Sequence, residues 1–187
     1  MMGRPAYILR FFICLSIFVG TLVPAAREVC ADEREAAEYE VKAAFLYNFA
    51  KFTEWPSASF ASDQAPLAIC ILGDNPFGKA FDPIRSKTVR NRSVAIREIV
   101  NPDAAKGCQV LFISASERER FDDILRSLGT RSVLTVSDVK RFTQSGGMIT
   151  FVTVDGKIRF EINNRAASHA GLKISSQMLK LAETVIE

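Results

Sequence analysis

A series of short apolar runs rich in β-branched residues limits the fold most: Leu67–Leu72, Val94–Ile99, Val110–Ile113 and Val133–Val136, each closed by turn formers. None alternates strictly between polar and apolar, which suits strands buried on both faces of a sheet. Helical segments are expected between them. Ser114-Ala115-Ser116-Glu117 has the form of a capping box opening a helix that runs to about Leu128 and stops at Gly129. Ser137 is placed to cap a short helix from Asp138 to Gln144, halted by Gly146-Gly147. Strand and helix in alternation give a largely parallel sheet covered on both sides. Met148–Val154 and Lys157–Ile162 flank Asp155-Gly156, a strong two-residue hairpin signal. Ser175 or Ser176 then caps a last helix with Met178, Leu179, Leu181, Ala182 and Val185 on its apolar side. The expected fold is α/β: a single-domain three-layer sandwich, its mostly parallel sheet ending in an antiparallel C-terminal hairpin, with helices on both faces.

The N-terminus predicts where this domain works. Arg4 and Arg10 precede an uncharged apolar run from Phe11 to Val23, the layout of a secretory signal peptide. The run is short for a bilayer span, and a retained anchor is the alternative. Val29-Cys30-Ala31 fits the small-residue pattern before a cut, so residues 1–31 read as the leader and 32–187 as one domain. Arg27-Glu28-Val29 does not suit lipoprotein processing at Cys30. Removing three arginines and one glutamate leaves a nearly neutral chain, and neither nucleic acid nor membrane insertion is expected after cleavage. Cys70 and Cys108 are then the two remaining cysteines, which in an exported protein read as a disulfide, with two buried free thiols as the alternative.

From Glu33 to Thr53 helix formers run without Gly or Pro until Trp55-Pro56 ends the helix. Val41, Phe45, Phe49 and Phe52 make one stripe, while Ala43, Leu46, Tyr47 and Ala50 fill much of the rest. This surplus is either a central core helix or an aromatic face shared with a dimer mate or partner. On the second reading Phe45, Tyr47, Asn48, Lys51 and Trp55 form the interface, with the Asn48 amide fixing its register.

Catalytic chemistry is hard to find. The single histidine, His169, excludes a histidine-based metal cluster, the cysteines lack metal-ligand spacing, and no Gly-x-Ser-x-Gly elbow occurs. No metal, cofactor or enzymatic activity is expected. Gly73-Asp74-Asn75-Pro76-Phe77-Gly78 follows the first strand, where open parallel sheets bind ligands, but it lacks a phosphate-loop pattern. A ligand cleft, if present, would draw on Asp74, Asn75 and Phe77 from this turn and on Glu161, Asn163, Arg165 and His169 near the second hairpin strand. Arg85, Lys87, Arg90, Arg92 and Arg97 form a basic stretch that suits either an acidic partner or a solvated face.

Several motifs in order, Val41–Phe52 with Trp55-Pro56, Cys70–Asp74 with Phe77-Gly78, Cys108–Ser114, Val133–Asp138, Gly146–Ile149, Phe160–Asn163 and Gly171–Ser176, closely resemble the YfiR family. The resemblance runs from about Glu38 to Ala182 and implies a periplasmic, α/β, commonly dimeric regulator. It implies repression of a membrane-bound diguanylate cyclase through its periplasmic domain, lower cyclic di-GMP and less biofilm, with an outer-membrane lipoprotein as a second partner. Cys70 and Cys108 fall where the family has a disulfide. The second cysteine pair of the best-known member has no counterpart here, which argues against redox switching built on two bridges. The competing function is a periplasmic small-molecule sensor or solute-binding module.

Overall fold

The computed structural model describes the backbone from Pro24 to Glu187 and side chains from Glu33 onward. Most of the expected leader, residues 1–31, lies outside the described residues. The chain divides into two compact units, Met1–Ala37 and Glu38–Glu187. The first contributes the opening turns of helix α1 (Pro24–Phe52), which starts upstream of the expected Glu33. The second holds the sheet.

In chain order the strands are β1 (Thr53–Glu54), β2 (Leu67–Leu72), β3 (Thr88–Val89), β4 (Arg92–Ile99), β5 (Val110–Ile113), β6 (Leu134–Ser137), β7 (Ile149–Val154), β8 (Lys157–Asn163), β9 (Lys173–Ile174) and β10 (Thr184–Ile186). The short helices are α2 (Asp82–Arg85), α3 (Phe121–Leu128), α4 (Asn164–His169) and α5 (Ser176–Leu179). The main sheet has the order β10-β8-β7-β6-β5-β2-β4-β3, and β1 pairs with β9 in a separate antiparallel ribbon. Strands β4, β2, β5, β6 and β7 are mutually parallel, in the doubly wound order 2-1-3-4-5. The β7–β8 hairpin turns through Asp155 and Gly156, both at positive φ, as that dipeptide predicts.

Each face of the sheet has its own core. On one, Leu46, Phe49 and Ala50 of α1 are buried against Ile69, Ile71 and Phe112, and the Phe49 ring lies 5.0 Å from Phe160 and 5.6 Å from Phe151. On the other, Phe121, Ile124 and Leu128 of α3 close over Cys70, Leu111 and Ile113. Cys70 in β2 and Cys108 before β5 are joined in a disulfide, Cα atoms 5.9 Å apart. The three-layer α/β sandwich is therefore as expected, and both core layers depend on strands buried on two sides.

Three local expectations give way to tertiary contacts. Asp138–Gln144 forms turns instead of a helix, because its polar groups bond to the sheet: Thr143 N–H donates to Thr150 Oγ1 at 2.9 Å, and Thr143 C=O accepts from Asn163 Nδ2 at 2.9 Å. After Ser114 the chain makes a 3-10 stretch, Ala115–Arg120, before α3, and the Ser114 side chain caps nothing. The last helix stops at Leu179, and Val185 lies in β10 beside Ile162, since Glu183 N–H donates to Phe160 C=O at 2.9 Å and draws the chain onto the β8 edge.

Candidate functional site

The strand register fixes where the expected cleft residues lie. One row crosses the sheet through Ile71, Phe112, Val136, Ile149 and Ile162, so the ends of β2 and β8 stand four strands apart. At the usual strand spacing that is about 19 Å. Asp74, Asn75 and Phe77 belong to the β2 end, whereas Glu161, Asn163, Arg165 and His169 belong to β8 and α4.

The β2 end is filled by protein. Gly73 has φ +86°, and a Cβ there would stand 2.4 Å from Ser116 Oγ and 2.9 Å from Glu117 Cγ. Asp74 N–H donates to the same Ser116 Oγ at 2.9 Å. Asn75 Nδ2 donates to Glu98 Oε1 at 2.7 Å, while its Oδ1 accepts from Phe77 N–H. Phe77 is buried, with its ring edge-on to Tyr39 and Phe112. The segment after β5 thus occupies the crevice between β2 and β5, where this strand order places ligands.

In the β8 group, Glu161 and Asn163 are tied into a hydrogen-bond network. Thr143 Oγ1 donates to Glu161 Oε2 at 3.1 Å, and Asn163 Oδ1 accepts from Ala166 N–H at 2.9 Å, capping α4. Arg165 and His169 are exposed, and no ion pair joins Arg165 to Glu161 among the described residues. His169 borders a cavity of about 110 Å³ with Leu128, Met148 and Ala170. The seven residues do not form one cleft. Among the described residues no group of three or more His, Cys, Asp or Glu side chains is arranged to hold a metal ion.

The aromatic helix divides between core and surface. Phe45 turns inward, half-buried, with its ring 5.5 Å from Phe160 and 6.0 Å from Phe151. Trp55 is pinned by its Nε1–H donating to Gln109 C=O at 3.1 Å. Tyr47, Asn48 and Lys51 face outward together, lining a groove of about 510 Å³ against Lys79, Ile84 and Lys87. Tyr47 O–H donates to Thr88 C=O at 3.0 Å, which leaves its ring as part of the groove wall. The ammonium of Lys87 lies 5.0 Å from that ring's centre, and that of Lys51 lies 5.8 Å away.

Two anchoring groups have no counterpart in the sequence reading. Lys42, only 4% exposed, places Nζ 2.7 Å from both Asp138 Oδ2 and Glu38 Oε1, and Tyr39 O–H donates to Asp138 at 2.9 Å. Gln109, also buried, accepts from Ala68 N–H and donates to Ser59 C=O, tying the loop after α1 to β2 and β5. A lysine within an apolar helical stretch is the one signal that marks the first of these.

Residues 39–183, from the middle of α1 to the residue before β10, match the YfiR/HmsC-like family. The chain belongs to that family. YfiR-like proteins form a periplasmic, regulatory and non-catalytic family that acts with a membrane-bound partner. Among the described residues no helix is long and apolar enough to cross a membrane. Among solved structures, an ABC domain in complex with L-Trp from Streptococcus pneumonia aligns at TM-score 0.48 and 12% identity, over 64% of this chain and 55% of that one. A conserved domain protein from Vibrio cholerae aligns at TM-score 0.46 and 10% identity, over 63% of this chain and 54% of that one. The chain spans about half the length of each.

Proposed function

We propose that this YfiR-like protein is a periplasmic repressor that binds the periplasmic domain of a membrane diguanylate cyclase, lowering cyclic di-GMP and biofilm formation. It works as a homodimer, is delivered by a cleaved leader, and is itself sequestered by an outer-membrane lipoprotein. The family match over residues 39–183 carries this reading. The occupied crevice at Gly73 supports it, because a fold whose customary ligand position is filled by Ser116 and Glu117 has less to offer a solute than a protein. The solute-sensor alternative loses its cleft, whose two halves stand four strands apart.

The test is genetic and direct. Deleting the gene in a strain that retains its cyclase is expected to raise cellular cyclic di-GMP, with restoration by the wild-type copy; an unchanged level would remove the proposal.

A further inference from the structure

The groove between α1 and the α2 segment carries cations that no described carboxylate neutralises. Arg85 and Arg90 nearby are paired with Asp82 at 3.8 Å and with Glu54 at 3.2 Å. Lys51, Lys79 and Lys87 line the groove, are exposed, and have no carboxylate within ion-pair distance among the described residues. Glu40 is the one acid that borders the same groove. The ammonium groups of Lys51 and Lys87 overlie the Tyr47 ring, and that ring with Pro83 and Ile84 supplies an apolar part of the wall beside the positive charge. Asn48 opens onto it with an exposed amide that hydrogen-bonds to no protein group among the described residues, available to a backbone laid along the helix.

We propose that this groove binds an extended acidic segment of a protein partner, its carboxylates meeting Lys51, Lys79 and Lys87 and its backbone meeting Asn48. Charge complementarity commits the occupant: three unpaired cations repel one another until a partner supplies anions, and an open groove with an apolar wall suits a chain segment. A second copy of this protein is a poorer occupant, since across a two-fold axis the same basic patch would face itself. The inference rests on the regulator reading only in taking the cyclase's periplasmic domain as the protein that carries the segment.

The experiment uses fluorescein-labelled deca-glutamate and deca-glutamine with the purified protein, followed by anisotropy. Deca-glutamate is expected to bind and deca-glutamine not, with affinity falling about tenfold or more as salt rises from low to several hundred millimolar. The Lys51→Glu/Lys87→Glu double variant is expected to lose that binding with its thermal unfolding unchanged, while Lys140→Glu, an exposed charge elsewhere, retains it. In cells the double variant is expected to raise cyclic di-GMP as deletion does. Equal binding of the two peptides, equal loss in Lys140→Glu, or selective binding to phosphatidylglycerol vesicles without peptide binding overturns the inference. So does a double variant that still represses in a strain where deletion raises cyclic di-GMP. Peptide binding that persists as predicted in a system where deletion changes nothing supports the acidic-segment groove and removes the cyclase as its source.

Discussion

At Gly73 a hydrogen atom in place of a side chain lets Ser116 and Glu117 pack against the end of β2. The residue sits at φ +86°, and any Cβ would run into Ser116 and Glu117. Gly73→Ala therefore combines backbone strain with a collision, and is expected to lower unfolding free energy by at least about 1 kcal/mol, read by urea denaturation. The turn itself was legible from Gly73-Asp74-Asn75. That it is filled was not, because Ser116 arrives from more than forty residues away. Asp138 makes the same point from the charged side. With Lys42 nearly buried, Asp138→Ala leaves the ammonium with the half-exposed Glu38 and the Tyr39 ring but no buried carboxylate, and is expected to cost about 3 kcal/mol. Glu38→Gln should cost less than about 1 kcal/mol in the same measurement.

Elements were readable where their cause is local. Asp155-Gly156 turns the hairpin because those two residues tolerate positive φ, whereas Trp55-Pro56 marks the end of α1 only approximately: the helix stops at Phe52, where Thr53 and Glu54 pair with β9. The β3–β4 hairpin escaped notice because its two turn residues, Arg90 and Asn91, also at positive φ, lack the glycine that usually advertises such a turn. Segments 138–144 and 180–186 misled for a different reason: their helical patterns are weak, and bonds offered by Thr150, Asn163 and the free edge of β8 outweigh them. The disulfide was legible from cysteine number, and its consequence lies at this scale, since it closes a 38-residue separation between β2 and the entry to β5. Cys70→Ser/Cys108→Ser is expected to lower stability by about 4 kcal/mol on the chain-entropy model, seen as a lower urea midpoint. Because the bonded cysteines are buried, adding reductant to the folded protein should act slowly compared with the same treatment in denaturant.

For the whole molecule, the question left by the aromatic helix is which of its faces belongs to the fold and which to a partner. Composition shows only that one helix carries more apolar surface than one contact needs; the division needs the sheet, because Phe151 and Phe160 claim Phe45 and Phe49 while no described residue covers the groove beside Tyr47. The two faces should therefore fail differently. Phe49→Ala empties a fully buried ring site and is expected to destabilise by about 3–5 kcal/mol, with partner affinity lost only as the protein unfolds. Tyr47→Asp gives up one hydrogen bond to Thr88 and two cation contacts at a half-exposed position, so the protein is expected to stay folded. It also sets a carboxylate between Lys51 and Lys87, where it competes for the cations that an acidic segment would meet. Calorimetric titration against the periplasmic domain of the proposed cyclase partner, beside thermal unfolding, separates the two: affinity lost with the melting curve intact marks Tyr47 as interface. Unfolding in both variants would assign the whole helix to the core, and the partner's footprint would then have to be sought elsewhere on the sheet.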